Sequence, residues 1–183
     1  MKEDITLIPE LSTTGVYTLL LFLPKEVNLN IGKLGKKRFP EGHYTYTGSA
    51  LGKGATSLKH RIARHLRRKK RRFWHIDYLL ANENVSVKAV IVAETKENME
   101  CNMNQYLKKV MGAKVPVKGF GASDCRKNCG SHLLYFPEIE KADFLVQRIV
   151  KYLRSSSGYS FFFSRFRGMN NKVKKTPARN PPT

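Results

Sequence analysis

Tyr46-Thr47-Gly48-Ser49-Ala50 is the stretch from which the fold of this chain can be read. Tyrosines alternate with polar partners over residues 43–47, which reads as a strand, and three small residues then let the chain turn. Downstream, Leu58, Ile62 and Leu66 recur every four residues and form the buried stripe of a helix expected over residues 56–71. Thr56 or Ser57 can cap its first turn. The same periodicity places Arg61, Arg64, His65, Arg68 and Arg72 on the neighbouring stripe. Upstream, Gly15-Val16-Tyr17 opens a run of leucine, aromatic and β-branched residues that ends at Pro24. Residues 15–23 therefore read as a buried strand.

Further elements extend outward from this core. Residues 27–32 alternate apolar and polar, as a half-buried strand does. A Gly- and Lys-rich loop over residues 32–38 separates it from the tyrosine strand. A short helix is expected around 75–82, a strand at 87–94, a helix at 97–111, a strand at 132–136 and an amphipathic helix at 139–153. The pattern predicts an α+β domain over residues 1–153, with a small, mainly antiparallel central sheet flanked by helices. Residues 154–183 form a basic tail with seven Lys or Arg, no acid and three prolines, expected to be flexible. Within it, Tyr159-Ser-Phe-Phe-Phe-Ser-Arg-Phe-Arg167 interleaves aromatics with arginine. That mixture suits either stacking on unpaired bases or an anchor that folds back on the domain.

The charge narrows the partners. Among 183 residues, 34 Lys and Arg oppose 14 Asp and Glu, a net charge of +20. Such a field attracts polyanions, nucleic acid first among them. Nine of residues 59–72 are Lys or Arg and none is acidic, so Arg64, Arg67, Arg68, Lys69, Lys70, Arg71 and Arg72 are the candidate phosphate contacts. No apolar run is long enough to span a bilayer, and the N-terminus lacks the basic start and apolar core of a secretory signal. A cytoplasmic protein without membrane contact is expected.

Gly15-Val16-Tyr17, Tyr46-Thr47-Gly48 and Arg61 followed by Arg64-His65 occur in the order and on the element types of the GIY-YIG nuclease superfamily, which the chain resembles over residues 15–136. The resemblance looks closest to a little-characterised archaeal branch, in which Trp74-His75-Ile76-Asp77-Tyr78-Leu79 and the segments around Ser123-Asp124-Cys125 and Ser131-His132 also recur. It implies a metal-dependent endonuclease that hydrolyses phosphodiester bonds in nucleic acid, with DNA the expected substrate. Tyr17, Tyr46, Arg61, His65 and His75 would be its catalytic residues. Glu100 would hold one Mg²⁺ or Mn²⁺, with Glu94 and Glu97 as alternative ligands. The chemistry is consistent with those residue types. A hard cation takes carboxylate oxygen, an arginine neutralises the phosphate, and a tyrosine can relay a proton if neighbouring cations lower its pKa.

Taken singly, the tyrosines are ordinary strand packing residues and Arg61 is one cation among nine; their joint order carries the reading. The alternative is a non-catalytic nucleic-acid-binding module that keeps the nuclease fold. Two departures favour it: residues 24–42 replace a short hairpin, and the family's late asparagine has no counterpart in residues 119–124. Charge alone would also suit an RNA-binding protein.

Cys125, Cys129 and His132 lie at C-x3-C-x2-H spacing, and Cys101 could complete a tetrahedral zinc site. The spacing is unusual and one ligand is distant in sequence. Packed thiols with His132 lining the cleft is the preferred account.

Overall fold

The computed structural model describes residues 14–67 and 69–155, together with the backbone of residues 161–165 and 173–176. Strand β1 (Gly15–Leu23) lies at the centre of the sheet, antiparallel to β4 (Gly42–Ala50) on one side and β5 (Ser86–Glu94) on the other. β6 (Leu133–Phe136) adds to β4, and β7 (Phe161–Arg165) and β8 (Val173–Thr176) extend the sheet beyond β5. The strand order is β6-β4-β1-β5-β7-β8, and every neighbouring pair is antiparallel. This is the expected α+β architecture. Helices cover both faces, which is why β1 is apolar along its length instead of alternating. Tyr17, Leu19, Leu21 and Leu23 pack toward α1 (Leu58–Leu66) and α2 (His75–Leu80). Val16 and Leu20 pack toward α3 (Glu100–Met111) and α4 (Ala142–Ser155).

Two expectations need correction. The loop over residues 32–38 holds a strand, β3 (Lys36–Phe39), which pairs with β2 (Val27–Asn30) as a separate two-stranded ribbon. A 3-10 turn at Gly32–Leu34 joins them, with Gly32 and Gly35 at positive φ. Lys and Arg on exposed positions of β3 disguise it, because the ribbon buries only one side.

The basic helix stops at Leu66 instead of residue 71. Lys70 folds back and donates to the carbonyls of Arg64 (3.0 Å) and His65 (2.6 Å), satisfying the last turn in place of a continued helix. Arg72 is therefore off the helical stripe, and Arg68 lies outside the described residues.

In the tail, the backbone of residues 161–165 pairs with β5 and that of residues 173–176 pairs with β7. Both readings of its aromatics, as an anchor or as stacking groups, concern side chains outside the described residues. No helix among the described residues is long and apolar enough to cross a membrane.

Candidate functional site

Strand register assembles the site. Tyr17 stands opposite Gly48 and Leu19 opposite Tyr46, so both tyrosines project from the α1 face of adjacent strands. Gly48 is required by this packing, because a Cβ there would lie 2.6 Å from Tyr17 Oη. Gly121, at φ +67°, is required for two reasons: its backbone conformation, and a Cβ position 2.8 Å from the Tyr46 ring. His65, from α1, closes the group. Its Nε2 shares a 2.8 Å hydrogen bond with Tyr17 Oη, and its ring meets those of Tyr17, Tyr46 and Trp74 at centroid distances of 5.3, 6.0 and 5.6 Å.

Glu100 enters from the other side of the sheet. β6 pairs with β4 only as far as Tyr46, with one more bond from Thr47 N–H to the His132 carbonyl. The next outward-facing donor of β4 is the Ser49 N–H, and Glu100 Oε2 accepts it at 2.8 Å. Ser49 Oγ donates to the same oxygen at 2.9 Å. The carboxylate thus occupies the ladder position beyond the end of β6. It rims the same cleft of about 420 Å³ as Tyr17, Tyr46, Arg61, His75 and His132. With Oε2 engaged, Oε1 takes no hydrogen bond among the described residues.

Burial dominates the electrostatics. It pushes the Tyr17 and Tyr46 phenols above their ordinary value; the nearby Arg61 charge opposes this and Glu100 reinforces it. In the free protein burial outweighs the nearby cations, so both phenols are neutral. Burial, reinforced by Lys70, Arg61 and Arg64, pulls His65 down to about 3, so it too is neutral. Burial also lowers His75, whose Nδ1 accepts the Gly121 N–H at 3.1 Å. Arg61 stacks over Trp74 at 5.2 Å, with its buried Nε unpartnered.

A second cluster adjoins the cleft. Cys101, Cys125, Cys129 and His132 place one ligand atom each within 4.8 Å of one another, a grouping able to hold a metal ion. Cys101 Sγ lies 3.6 Å from Cys125 Sγ, and all three cysteines are free. Burial raises Cys101 and Cys129. Burial also disfavours the Cys125 thiolate, but hydrogen bonds led by the Cys129 backbone N–H outweigh it and bring Cys125 to about 6. His132 both joins this cluster and lines the cleft, so the two sequence readings of it are compatible.

The family model described as domain of unknown function DUF123 matches residues 16–155, a span that holds both the cleft and the cysteine cluster. The chain belongs to this family. No curated protein and no solved structure matches it.

The DUF123 cleft gathers Tyr17, Tyr46, Arg61, His75 and Glu100, with His65 directly behind the tyrosines. The basic segment is divided. Arg64 is committed to the fold: it donates to the fully buried Asp77 at 2.6 Å and to the Arg71 carbonyl at 2.8 Å, and it stacks over Trp74. The Lys70 side chain is only 2% exposed. In the free protein these two cations are engaged by Asp77 and helix carbonyls. Arg67, Lys69, Arg71 and Arg72 are exposed. Asp77 escapes sequence reasoning as a site organiser; it also accepts the N–H groups of Phe73 (3.0 Å) and Trp74 (2.9 Å), which sets the cleft's aromatic wall. The signal in sequence is an aspartate at the start of a helix just after a cationic run. Asn98 and Asp124 also line the cleft, and no local pattern marks them.

Proposed function

We propose that this chain is a divalent-metal-dependent endonuclease that hydrolyses phosphodiester bonds in nucleic acid, DNA in particular, with a GIY-YIG-like site. The observation that carries the reading is the meeting of two tyrosines, one stacked arginine and one anchored carboxylate in a single cleft on a strongly basic protein.

The residues fit a hard cation. Mg²⁺ keeps several waters and is commonly held by one or two carboxylates, and Glu100 offers an oxygen while Ser49 fixes the other. Such an ion, when bound, would neutralise charge on the scissile phosphate and lower the pKa of a bound water. Arg61 grips the phosphate, its guanidinium held in place by Trp74. Tyr17 and Tyr46 act as neutral groups that orient the attacking water and a phosphate oxygen. His65 fixes the rotamer of Tyr17 from a dry position and does not need to change charge. His75 braces the loop at Gly121 that closes over Tyr46. Arg67, Lys69, Arg71 and Arg72 hold the backbone on either side of the break, without reading bases.

The test is nicking of labelled duplex and branched DNA in Mg²⁺ or Mn²⁺, with the native protein beside Arg61→Ala and Glu100→Gln. Metal-dependent cutting by the native protein, lost in both variants, is the expected result. Salt-sensitive binding without cutting in all three would make the chain a nucleic-acid-binding module, and a preference for RNA would exclude DNA as its substrate.

A further inference from the structure

We propose that Cys101, Cys125, Cys129 and His132 form a closed tetrahedral zinc site, and that its ion fixes the cleft wall carrying Glu100 and Asp124. This inference is independent of the nuclease reading.

The donor set comes from three separate places: the first turn of α3, the loop over residues 125–129, and the residue before β6. Helix, loop and strand bring these atoms within 4.8 Å of one another. A tetrahedral zinc with bonds of about 2.3 Å to sulfur has ligand–ligand edges of roughly 3.8 Å, and the Cys101–Cys125 separation of 3.6 Å is close to such an edge. It is far from the ~2.05 Å of a disulfide.

A further observation points to an ion. His132 is 3% exposed, and its buried Nε2 has no hydrogen-bond partner. The His132 side chain also hydrogen-bonds Cys125, which turns the ring toward the cysteines. The loop that presents the cysteines also turns tightly, with Asn128 at φ 49° and Gly130 at φ 78°. Asn128 is the one non-glycine residue at positive φ among the described residues, and this turn swings Cys129 back toward Cys125.

Three thiolates and an imidazole select zinc over Mg²⁺ or Mn²⁺, which prefer oxygen. Four protein ligands leave no open position, so the role is structural. Lys108 donates to the Cys129 carbonyl at 2.7 Å, placing a cation beside a site whose net charge with zinc would be negative.

The ion's neighbours give it a second consequence. Cys101 follows Glu100 directly, Cys125 follows Asp124, and His132 itself lines the cleft. The loop before Cys125 is tied across the cleft by the Gly121 N–H to His75 and by the His132 N–H to the Phe120 carbonyl. Releasing the ion would free α3's first turn and this loop together.

The first experiment is metal analysis of the native full chain purified without added metal, followed by replacement with Co²⁺. One zinc per chain is expected, and the cobalt form should show tetrahedral visible bands with thiolate-to-cobalt charge transfer. In Cys129→Ser, Co²⁺ affinity should fall roughly 100-fold or more through loss of one thiolate. Native protein without stoichiometric zinc and unable to take up Co²⁺ in this form would overturn the site, whether or not the variant folds. Amide hydrogen exchange of the native chain with and without chelator tests the coupling. Faster exchange at Ser49 and Gly121 after zinc removal is expected, and unchanged protection at both would overturn the cleft-wall role.

Discussion

Ser49 gives both its backbone N–H and its hydroxyl to one oxygen of Glu100, at 2.8 and 2.9 Å. This pair joins the second tyrosine strand to the first turn of α3 and leaves the other carboxylate oxygen without a hydrogen bond among the described residues. Ser49→Ala should retain binding to nucleic acid but weaken the Mn²⁺ dependence of cutting. Removing a hydrogen bond to a charged group costs about 1.5–3 kcal/mol, or roughly a tenfold or greater reduction in apparent metal affinity. Cutting titrated against Mn²⁺ would reveal it, and an unchanged titration would remove Ser49 from the site.

Tyr17→Phe deletes the hydroxyl that pairs with His65 Nε2. His65 Nδ1 is already buried without a partner, so the imidazole would lose its one hydrogen bond. Stability should fall by about 1–2 kcal/mol in urea unfolding, and cutting should fall further than folding explains. Gly48→Ala should harm the same pair by displacing the Tyr17 ring.

Asp77 is fully buried and accepts three hydrogen bonds, one from Arg64. Asp77→Asn leaves the Arg64 and Lys70 charges without their counter-ion. The expected cost is about 3 kcal/mol or more, read as a lower urea midpoint at unchanged slope. A decrease below about 1 kcal/mol would contradict the organising role given to this residue.

Acid should destabilise the protein well above the carboxylate range. His65 has an ordinary pKa of 6.5 but is held at about 3 in the folded chain, by burial first and nearby cations second. Between those values the unfolded chain binds a proton that the folded chain refuses. The contribution is therefore complete above about pH 6.5 and is lost as pH falls toward 3, at up to about 1.4 kcal/mol per pH unit for this one group. His43 and His75 are lowered in the same direction. In His65→Phe, the urea midpoint should depend less on pH between about 6 and 4.

The division of the basic segment is testable by salt. Ala at Lys69, Arg71 and Arg72 together should weaken DNA binding and flatten its salt dependence by about 0.9 in log–log slope for each phosphate no longer neutralised. Lys70→Ala should instead lower stability and leave the slope nearly unchanged, because its ammonium serves helix carbonyls.

Much of the sheet can be read from local pattern. β1 matches its expected bounds, and β5, β6 and α2 fall within two residues of theirs. β3 escapes because its exposed Lys and Arg look like loop chemistry when only one face is buried. The end of α1 escapes because Lys70, six residues on from Arg64, decides it by folding back. In the candidate site, the motif tyrosines, Arg61 and Glu100 are reached through the family resemblance their order carries, whereas only their neighbours in space give Asp77 and Asp124 a role.

By itself, the sequence determined the apolar periodicities, the cationic excess and the order of the tyrosine motifs. These depend on neighbours along the chain or on composition, and residue types carry them directly. Only the tertiary structure decided which cations are free and that Glu100 caps an open strand edge. It also decided that burial keeps the tyrosines and His65 neutral, and that Cys101 joins cysteines more than twenty positions away. Each of these depends on distance and dielectric in three dimensions, which no local pattern encodes.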